Sequence, residues 1–191
     1  MANEKEVLEA LFASVNEVLQ KADLSGVSAE GTGLSELPDA YYLSELTAAE
    51  LLFGKTSGKP QAKLTFKTVE NGIGETVNEE GDATRFDVKK TANKTIYLYY
   101  PLKTDDGGES LKKFASDMMK FESKPGTPVL PEEAWKRADV LYDALDLVAS
   151  MKLRIYIKVS TTTKVVDGEE VKSTWKNLIS WKRARGLELP D

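Results

Sequence analysis

Apolar and polar residues alternate with period two near the C-terminus, between Met151 and Val159. The apolar positions are Leu153, Ile155, Ile157 and Val159, and the positions between them are Lys152, Arg154, Tyr156 and Lys158. Successive side chains of a strand face opposite sides of a sheet. This segment therefore predicts a strand with one apolar face and one basic face that carries an aromatic ring.

Similar alternation predicts a β-rich chain with five strands. Their predicted ranges are 40–53, 61–70, 95–102, 151–166 and 170–181. Residues 47–52 of the first strand also fit a helix, and Pro101 predicts that the third strand ends early or lies at a sheet edge. Asp167-Gly168 is typical of a tight hairpin turn. The polar segment 71–94, rich in Gly, Asn and Glu, predicts a long loop or an extended, mobile hairpin.

Apolar residues at helical spacing predict helices over 3–22, 109–121 and about 131–149. The Gly- and Ser-containing segment that follows the first helix predicts a linker. We accordingly divide the chain into an N-terminal helix with its linker, a main domain and a short tail. The ranges are 1–36, 37–186 with a helical insertion at about 108–149, and 187–191.

The order of these elements predicts the fold class. Three strands, a helical segment and a two-stranded hairpin follow one another, which is the order of an OB-fold. We therefore predict a mainly β protein: a five-stranded OB-fold barrel with an N-terminal helix and a helical insertion between strands three and four. An SH3-like small barrel or an α+β meander is the alternative.

Composition narrows the function classes. The chain has no cysteine and no histidine, so disulfides, thiolate zinc sites and histidine-based triads are excluded. The net charge is −5, but residues 1–50 carry a net charge of −8 and residues 151–186 one of +6. This asymmetry predicts a basic surface offset by an acidic one. The first residues do not have the pattern of a secretory signal, and no apolar run approaches the roughly 18 residues of a membrane span. We expect a cytoplasmic protein without cofactor or metal.

The outward positions of three predicted strands combine cations with tyrosines. Lysine and arginine neutralise phosphates, and tyrosine rings stack on bases, so this face predicts a site for single-stranded nucleic acid. Solvated lysines and cross-strand packing of the tyrosines are the alternative interpretation. Trp135, Trp175 and Trp181 are assigned to the core. The predicted nucleic-acid-binding residues are Lys63, Lys67, Lys89, Lys90, Lys94, Tyr97, Tyr99, Lys152, Arg154, Tyr156 and Lys158.

Two stretches carry a family resemblance. One is Leu37-Pro38-Asp39-Ala40-Tyr41-Tyr42-Leu43 with the following Lys55–Lys67 segment; the other is Val166–Glu170 with Trp175–Ile179. They resemble the opening and the closing hairpin of phage-encoded single-stranded-DNA-binding proteins of OB-fold type. Ala40 stands where a glycine is usual, the 103–149 insertion is long, and Glu188 and Asp191 replace a strongly acidic tail.

The resemblance implies a non-enzymatic protein that protects single-stranded DNA in phage replication or recombination, in the host cell cytoplasm. It would bind with little sequence preference, and replication or recombination proteins would be its further partners. The N-terminal helix is expected to pack across the barrel or to join two copies into a homo-oligomer. The alternative is a structural or assembly protein that uses the same β face as a protein interface, and an enzyme using carboxylates is the third candidate.

Overall fold

The computed structural model describes residues 3–22, 37–124 and 126–187, so the predicted linker over 23–36 and the end of the tail lie outside the described residues. The helices are α1 (Glu4–Lys21), α2 (Glu109–Met118), α3 (Ala138–Ser150) and α4 (Trp181–Ala184), with a 3₁₀ turn at Glu132–Trp135. The strands are β1 (Ala40–Phe53), β2 (Pro60–Thr68), β3 (Gly72–Val77), β4 (Ala83–Val88), β5 (Thr95–Pro101), β6 (Glu122–Lys124), β7 (Thr127–Pro128), β8 (Arg154–Val166) and β9 (Glu169–Ile179).

Seven of these strands form one antiparallel sheet in which β1 is central. Its first half pairs with β8, its second half pairs with β2, and Tyr41 also pairs with Ile73 of β3. β5 extends the sheet beyond β2, and β9 extends it beyond β8. The five predicted strands thus lie in the spatial order β9-β8-β1-β2-β5, with the β3–β4 hairpin attached beside them.

β1 contains a bulge between Leu46 and Ala48, where its register with β2 shifts. Before the bulge the buried positions are even-numbered, and after it they are odd-numbered, as at Ala49 and Leu51. A bulge inserts one residue and so exchanges the two faces of a strand. The run 47–52, whose sequence also fits a helix, is therefore strand throughout.

One core lies between the sheet and the helices. The inward side chains of β1, β2, β5 and β8 pack against α2 and α3, and Leu11, Val15 and Leu19 of α1 belong to the same buried cluster. α1 is held further by Asn16, whose side-chain oxygen accepts the Ala138 N–H at 2.8 Å. The N-terminal helix thus packs on the main domain of its own chain, which was one of its two predicted roles, and its role in a homo-oligomer stays a prediction. Leu11, Val15 and Leu19 of its apolar stripe are buried within its own chain, whereas Val7 is 48% exposed.

The predicted barrel is not closed, because β5 and β9 form no ladder with each other in the described part of the chain. Two lysine side chains connect β9 to its surroundings here, one to β5 and one to the end of α2. Lys176 of β9 donates from Nζ to the Tyr97 carbonyl of β5 at 2.5 Å, and Lys120, just after α2, donates to the Leu178 carbonyl at 2.7 Å. The fold is therefore a mainly β protein with an open antiparallel sheet and helices packed on it.

A buried polar network anchors α2 against β5. Asp117 is fully buried, accepts the Tyr100 hydroxyl at 2.7 Å, and pairs with Lys113 and Lys120 at 2.5 and 2.9 Å. Burial raises the pKa of Tyr100 well above its ordinary value, with the Asp117 charge as a second cause. A carboxylate shared by three donors is satisfied, so we assign this network to structure rather than chemistry.

Several predicted boundaries change in the structure. Residues 71–94 form the β3–β4 hairpin and a short loop, which is the extended alternative of the prediction. The helix predicted from 131 is divided into the 3₁₀ turn and α3, and the small β6–β7 pair precedes it. Pro101 is the exposed last residue of β5 at the sheet edge, as predicted.

Two predictions near the C-terminus are wrong. The first residues of the predicted 151–166 strand form a turn, where Lys152 has a φ of +50°, so Lys152 does not lie on the β8 face. In β9 the buried residues are Lys176 and Leu178, whereas Trp175 is half-buried and Trp181 is 53% exposed. Since Trp175 lies opposite Ser160, it faces outward and not into the core. Trp135 does pack against the core, with its ring 5.6 Å from that of Phe114.

Gly72 tests the packing of β3 against β1. A Cβ at Gly72 would overlap the fully buried Tyr42 ring, whereas one at Gly74 would meet Phe86, which is 47% exposed. We expect Gly72→Ala to lower the free energy of unfolding by about 1–3 kcal/mol, because Tyr42 has no space to move into. Gly74→Ala is the matched control with a smaller loss, since the Phe86 ring can rotate into solvent. Urea unfolding of both variants is the measurement, and equal losses would contradict this account.

Candidate nucleic-acid interface

The outer surface of the sheet carries two groups of cations and aromatic rings. The first, which we call the β5 cluster, consists of Lys63, Tyr97 and Tyr99. Lys63 on β2 lies opposite Tyr99 on β5, and its Nζ is 4.9 Å from the centre of the Tyr97 ring and 5.8 Å from that of Tyr99. The two rings are 44% and 53% exposed, with centres 6.3 Å apart. The cluster therefore presents two accessible aromatic rings beside one cation.

The second group, the β8 cluster, consists of Tyr41, Tyr156, Lys158 and Trp181. Tyr41 of β1 lies opposite Lys158 of β8, and Lys158 Nζ is 5.2 Å from the centre of the Tyr41 ring. Trp181, the first residue of α4, meets the Tyr156 ring edge-on at 6.0 Å between centres. α4 therefore supplies an exposed indole next to the outward side chains of β8.

A row of charged side chains lies between the two clusters. The register places Arg154 opposite Glu45, and Glu45 opposite Lys67. Arg154 Nε is 3.3 Å from a Glu45 carboxylate oxygen, in an exposed pair. Exposed pairs of this kind contribute little to stability, about 0–1 kcal/mol. Glu45 does, however, place a negative charge within an otherwise cationic row.

The three predicted loop lysines follow the β3–β4 hairpin. Lys89, Lys90 and Lys94 are all exposed, and Lys94 directly precedes the residue that faces Lys67. Their loop is held from inside by Thr91, whose backbone N–H donates to the Asn71 side chain at 3.1 Å and whose hydroxyl accepts the Gly72 N–H at 2.9 Å. The loop therefore has a defined position at one end of the outer face.

The structure thus divides the predicted site. It brings Lys63, Lys67, Tyr97, Tyr99, Arg154, Tyr156 and Lys158 onto one outer face, with Lys89, Lys90 and Lys94 at its edge and Lys152 in a separate turn. Sequence reasoning missed Tyr41, Trp175 and Trp181. Tyr41 could have been found, because it occupies the outward parity of β1. The two tryptophans were assigned to the core because they share the strand parity of the apolar residues Val171 and Ile179.

A hydrogen bond from Lys176 connects β9 to the backbone of the β5 cluster at Tyr97. Its residue is 5% exposed, and its Nζ contacts the carbonyl of the residue that carries the Tyr97 ring. Burial lowers the pKa of Lys176 from an ordinary 10.5 to about 8. No carboxylate forms an ion pair with it within the described residues. The seam therefore depends on a buried amine that loses its charge at mildly alkaline pH.

Comparison with known protein families, curated proteins and solved structures finds no match to this chain. Within the described ranges, no helix is both long and apolar enough to cross a membrane. The same residues place no group of three or more acidic side chains where it could hold a metal ion.

The Lys176 amine predicts a specific pH dependence of stability. Its pKa is lower in the folded than in the unfolded protein, so the unfolded chain binds more protons between about pH 8 and 10.5 and stability rises with pH there. The penalty for burying the charge is fully present below pH 8. We expect the free energy of unfolding of the wild type, relative to Lys176→Met, to increase across this window. Denaturant unfolding at several pH values measures it, and parallel curves for the two proteins would contradict the assignment.

Proposed function

We propose that this protein binds single-stranded DNA with little sequence preference on the outer face of its sheet, without catalysing a reaction. The observation that carries the proposal is the β5 cluster, in which Lys63 lies between two exposed tyrosine rings. A base can stack on each exposed ring, and the cation can neutralise the adjoining phosphate. Phage replication or recombination is the setting that the family resemblance implies.

The strand arrangement supports an OB-like interpretation of this sheet. The order β9-β8-β1-β2-β5 places the first predicted strand between the second and the fourth, and the helical insertion lies between β5 and β8. OB-folds bind oligonucleotides on the surface of their second and third strands, here β2 and β5. The β5 cluster occupies that surface.

The cations and rings follow a continuous path across the sheet. From the β5 cluster the outer face continues through Lys67 and Arg154 to the β8 cluster, with Glu45 within the path. A DNA backbone that lies across the strands would contact a cation on β2 and a second cation on β8. We infer that the phosphates follow this path and that the tyrosines at its two ends hold bases.

The first experiment is a titration of fluorescently labelled oligo-dT, followed by anisotropy at several salt concentrations. Binding that weakens linearly on a log–log salt plot, with duplex of equal length binding much less, supports the proposal and counts the phosphates contacted. No binding at low salt would contradict it. The outer face would then serve a protein partner, as in a structural or assembly protein.

Removal of the rings tests the stacking. We expect Tyr97→Ala and Tyr99→Ala each to weaken oligo-dT binding by roughly 5- to 150-fold, which corresponds to the loss of one stacked base. Tyr142→Ala, which removes a 36% exposed ring on α3, is the matched control and should leave affinity unchanged. Equal effects of all three substitutions would contradict a site on β5.

Removal of the acid in the path should strengthen binding. Glu45→Gln removes a negative charge from the face and releases Arg154 from its ion pair. We expect affinity for oligo-dT to rise by roughly threefold at low salt, since an exposed pair of this kind is weak. The same oligo-dT titration measures this gain in affinity. Arg154→Ala and Tyr156→Ala should both weaken binding while leaving the circular dichroism spectrum unchanged. A loss of affinity in Glu45→Gln would contradict the path.

A further inference from the structure

The far ends of β8 and β9 form a two-stranded ribbon that extends beyond β1. β1 stops pairing with β8 at Val159, while β8 and β9 remain paired as far as Val166 and Glu169. The ribbon is exposed, with Val165 at 70% and Val171 at 45%. An exposed strand edge is a template for pairing with another chain. The β8 edge is covered by a side chain at Thr161, whereas no further strand pairs with the β9 edge in the described residues.

The β8 edge is blocked at its base by Asp39. The Asp39 carboxylate accepts the Thr161 backbone N–H at 3.0 Å and its hydroxyl at 2.7 Å. The Thr161 N–H therefore points away from β9, so Thr161 and the opposite residue Thr174 are a pair that exchanges no backbone hydrogen bonds. Thr174 accordingly points its own N–H and C=O to the outer edge of β9. Because this orientation alternates, Glu170 and Lys172 also present theirs at that edge. In the described residues no other strand pairs with this edge.

The residues on the β9 edge are complementary to themselves in one register. If β9 pairs antiparallel with β9 of a second copy about Val171, each Glu170 lies opposite a Lys172 and the two Val171 side chains meet. If the pairing is centred on Lys172 instead of Val171, the two Lys172 side chains lie opposite each other. If it is centred on Glu170, the two Glu170 side chains do. Opposite charges across strands stabilise and like charges destabilise. Charge therefore selects the register centred on Val171.

We propose that the β9 edge, from Glu169 to Ser173, pairs with the same edge of a second copy and forms a two-fold symmetric dimer. The two ribbons become one four-stranded antiparallel sheet, in the order β8-β9-β9-β8. Glu170 and Lys172 exchange backbone hydrogen bonds across the axis. This surface is distinct from α1, whose Leu11, Val15 and Leu19 are buried in its own chain, and the proposal does not depend on nucleic-acid binding.

Sedimentation velocity of the DNA-free full chain over a range of concentrations tests the dimer. We expect a monomer–dimer equilibrium in the wild type. Glu170→Lys and Lys172→Glu should each raise the dimer dissociation constant by about tenfold, since each substitution turns two attractive cross-strand pairs into repulsive ones. The double variant with both substitutions restores opposite charges across the axis and should return to the wild-type constant. Lys55→Glu, which makes the same charge change as Lys172→Glu but in the exposed turn before β2, is the matched control.

The outcomes separate this surface from others. A wild type that stays monomeric at every soluble concentration overturns the proposal. A dimer that neither single substitution weakens also overturns it and places the contact elsewhere, for example on α1. Circular dichroism of each variant verifies the fold, and a folded double variant that does not regain the wild-type constant overturns the proposed register.

Discussion

Strand β1 is the element on which the remaining structure depends, because it pairs with three strands, β2, β3 and β8. Fourteen residues of strand must keep an apolar face on the core along their whole length. The bulge after Leu46 makes this possible by exchanging the two faces at the point where the sequence changes parity. Both halves of β1 therefore contribute to one core, and the outward side chains of β2 and β8 share one surface.

The seam between β5 and β9 determines how firmly β5, and with it one end of the outer face, is fixed to the rest of the sheet. In a closed barrel, backbone hydrogen bonds would fix β5 to its neighbour. Here the Lys176 side chain donates from β9 to a β5 carbonyl instead, while Lys120, just after α2, donates to the Leu178 carbonyl of β9. A single amine is a weaker and more pH-sensitive connection than a ladder, because its charge is costly to bury. The proposed base-stacking residue Tyr97 is attached to this connection through its own carbonyl.

The local patterns predicted most of the secondary structure. α1, β1, β2, β5, β8 and β9 all lie within a few residues of their predicted ranges, and the 167–168 turn is present with positive φ at both residues. Their alternation also predicted which tyrosines are exposed, because Tyr97 and Tyr99 occupy the polar parity of β5. The assignment failed for β9. In β9, Lys176 lies at a buried position and Trp175 at an outward one. Hydrophobicity alone cannot predict this, because the buried Lys176 amine is satisfied by the carbonyl of Tyr97, which is distant in sequence.

The sequence by itself therefore determined the strands, their faces and the basic–aromatic character of one surface, because these depend on residues two or four positions apart. Only the tertiary structure decided which strands are neighbours, that the barrel stays open, and that Lys63 lies between two tyrosines of another strand. It also brought Trp181 onto Tyr156 and, within the described ranges, left the outer edge of β9 without a paired strand. These features depend on contacts between distant segments, and no periodicity within one segment records them.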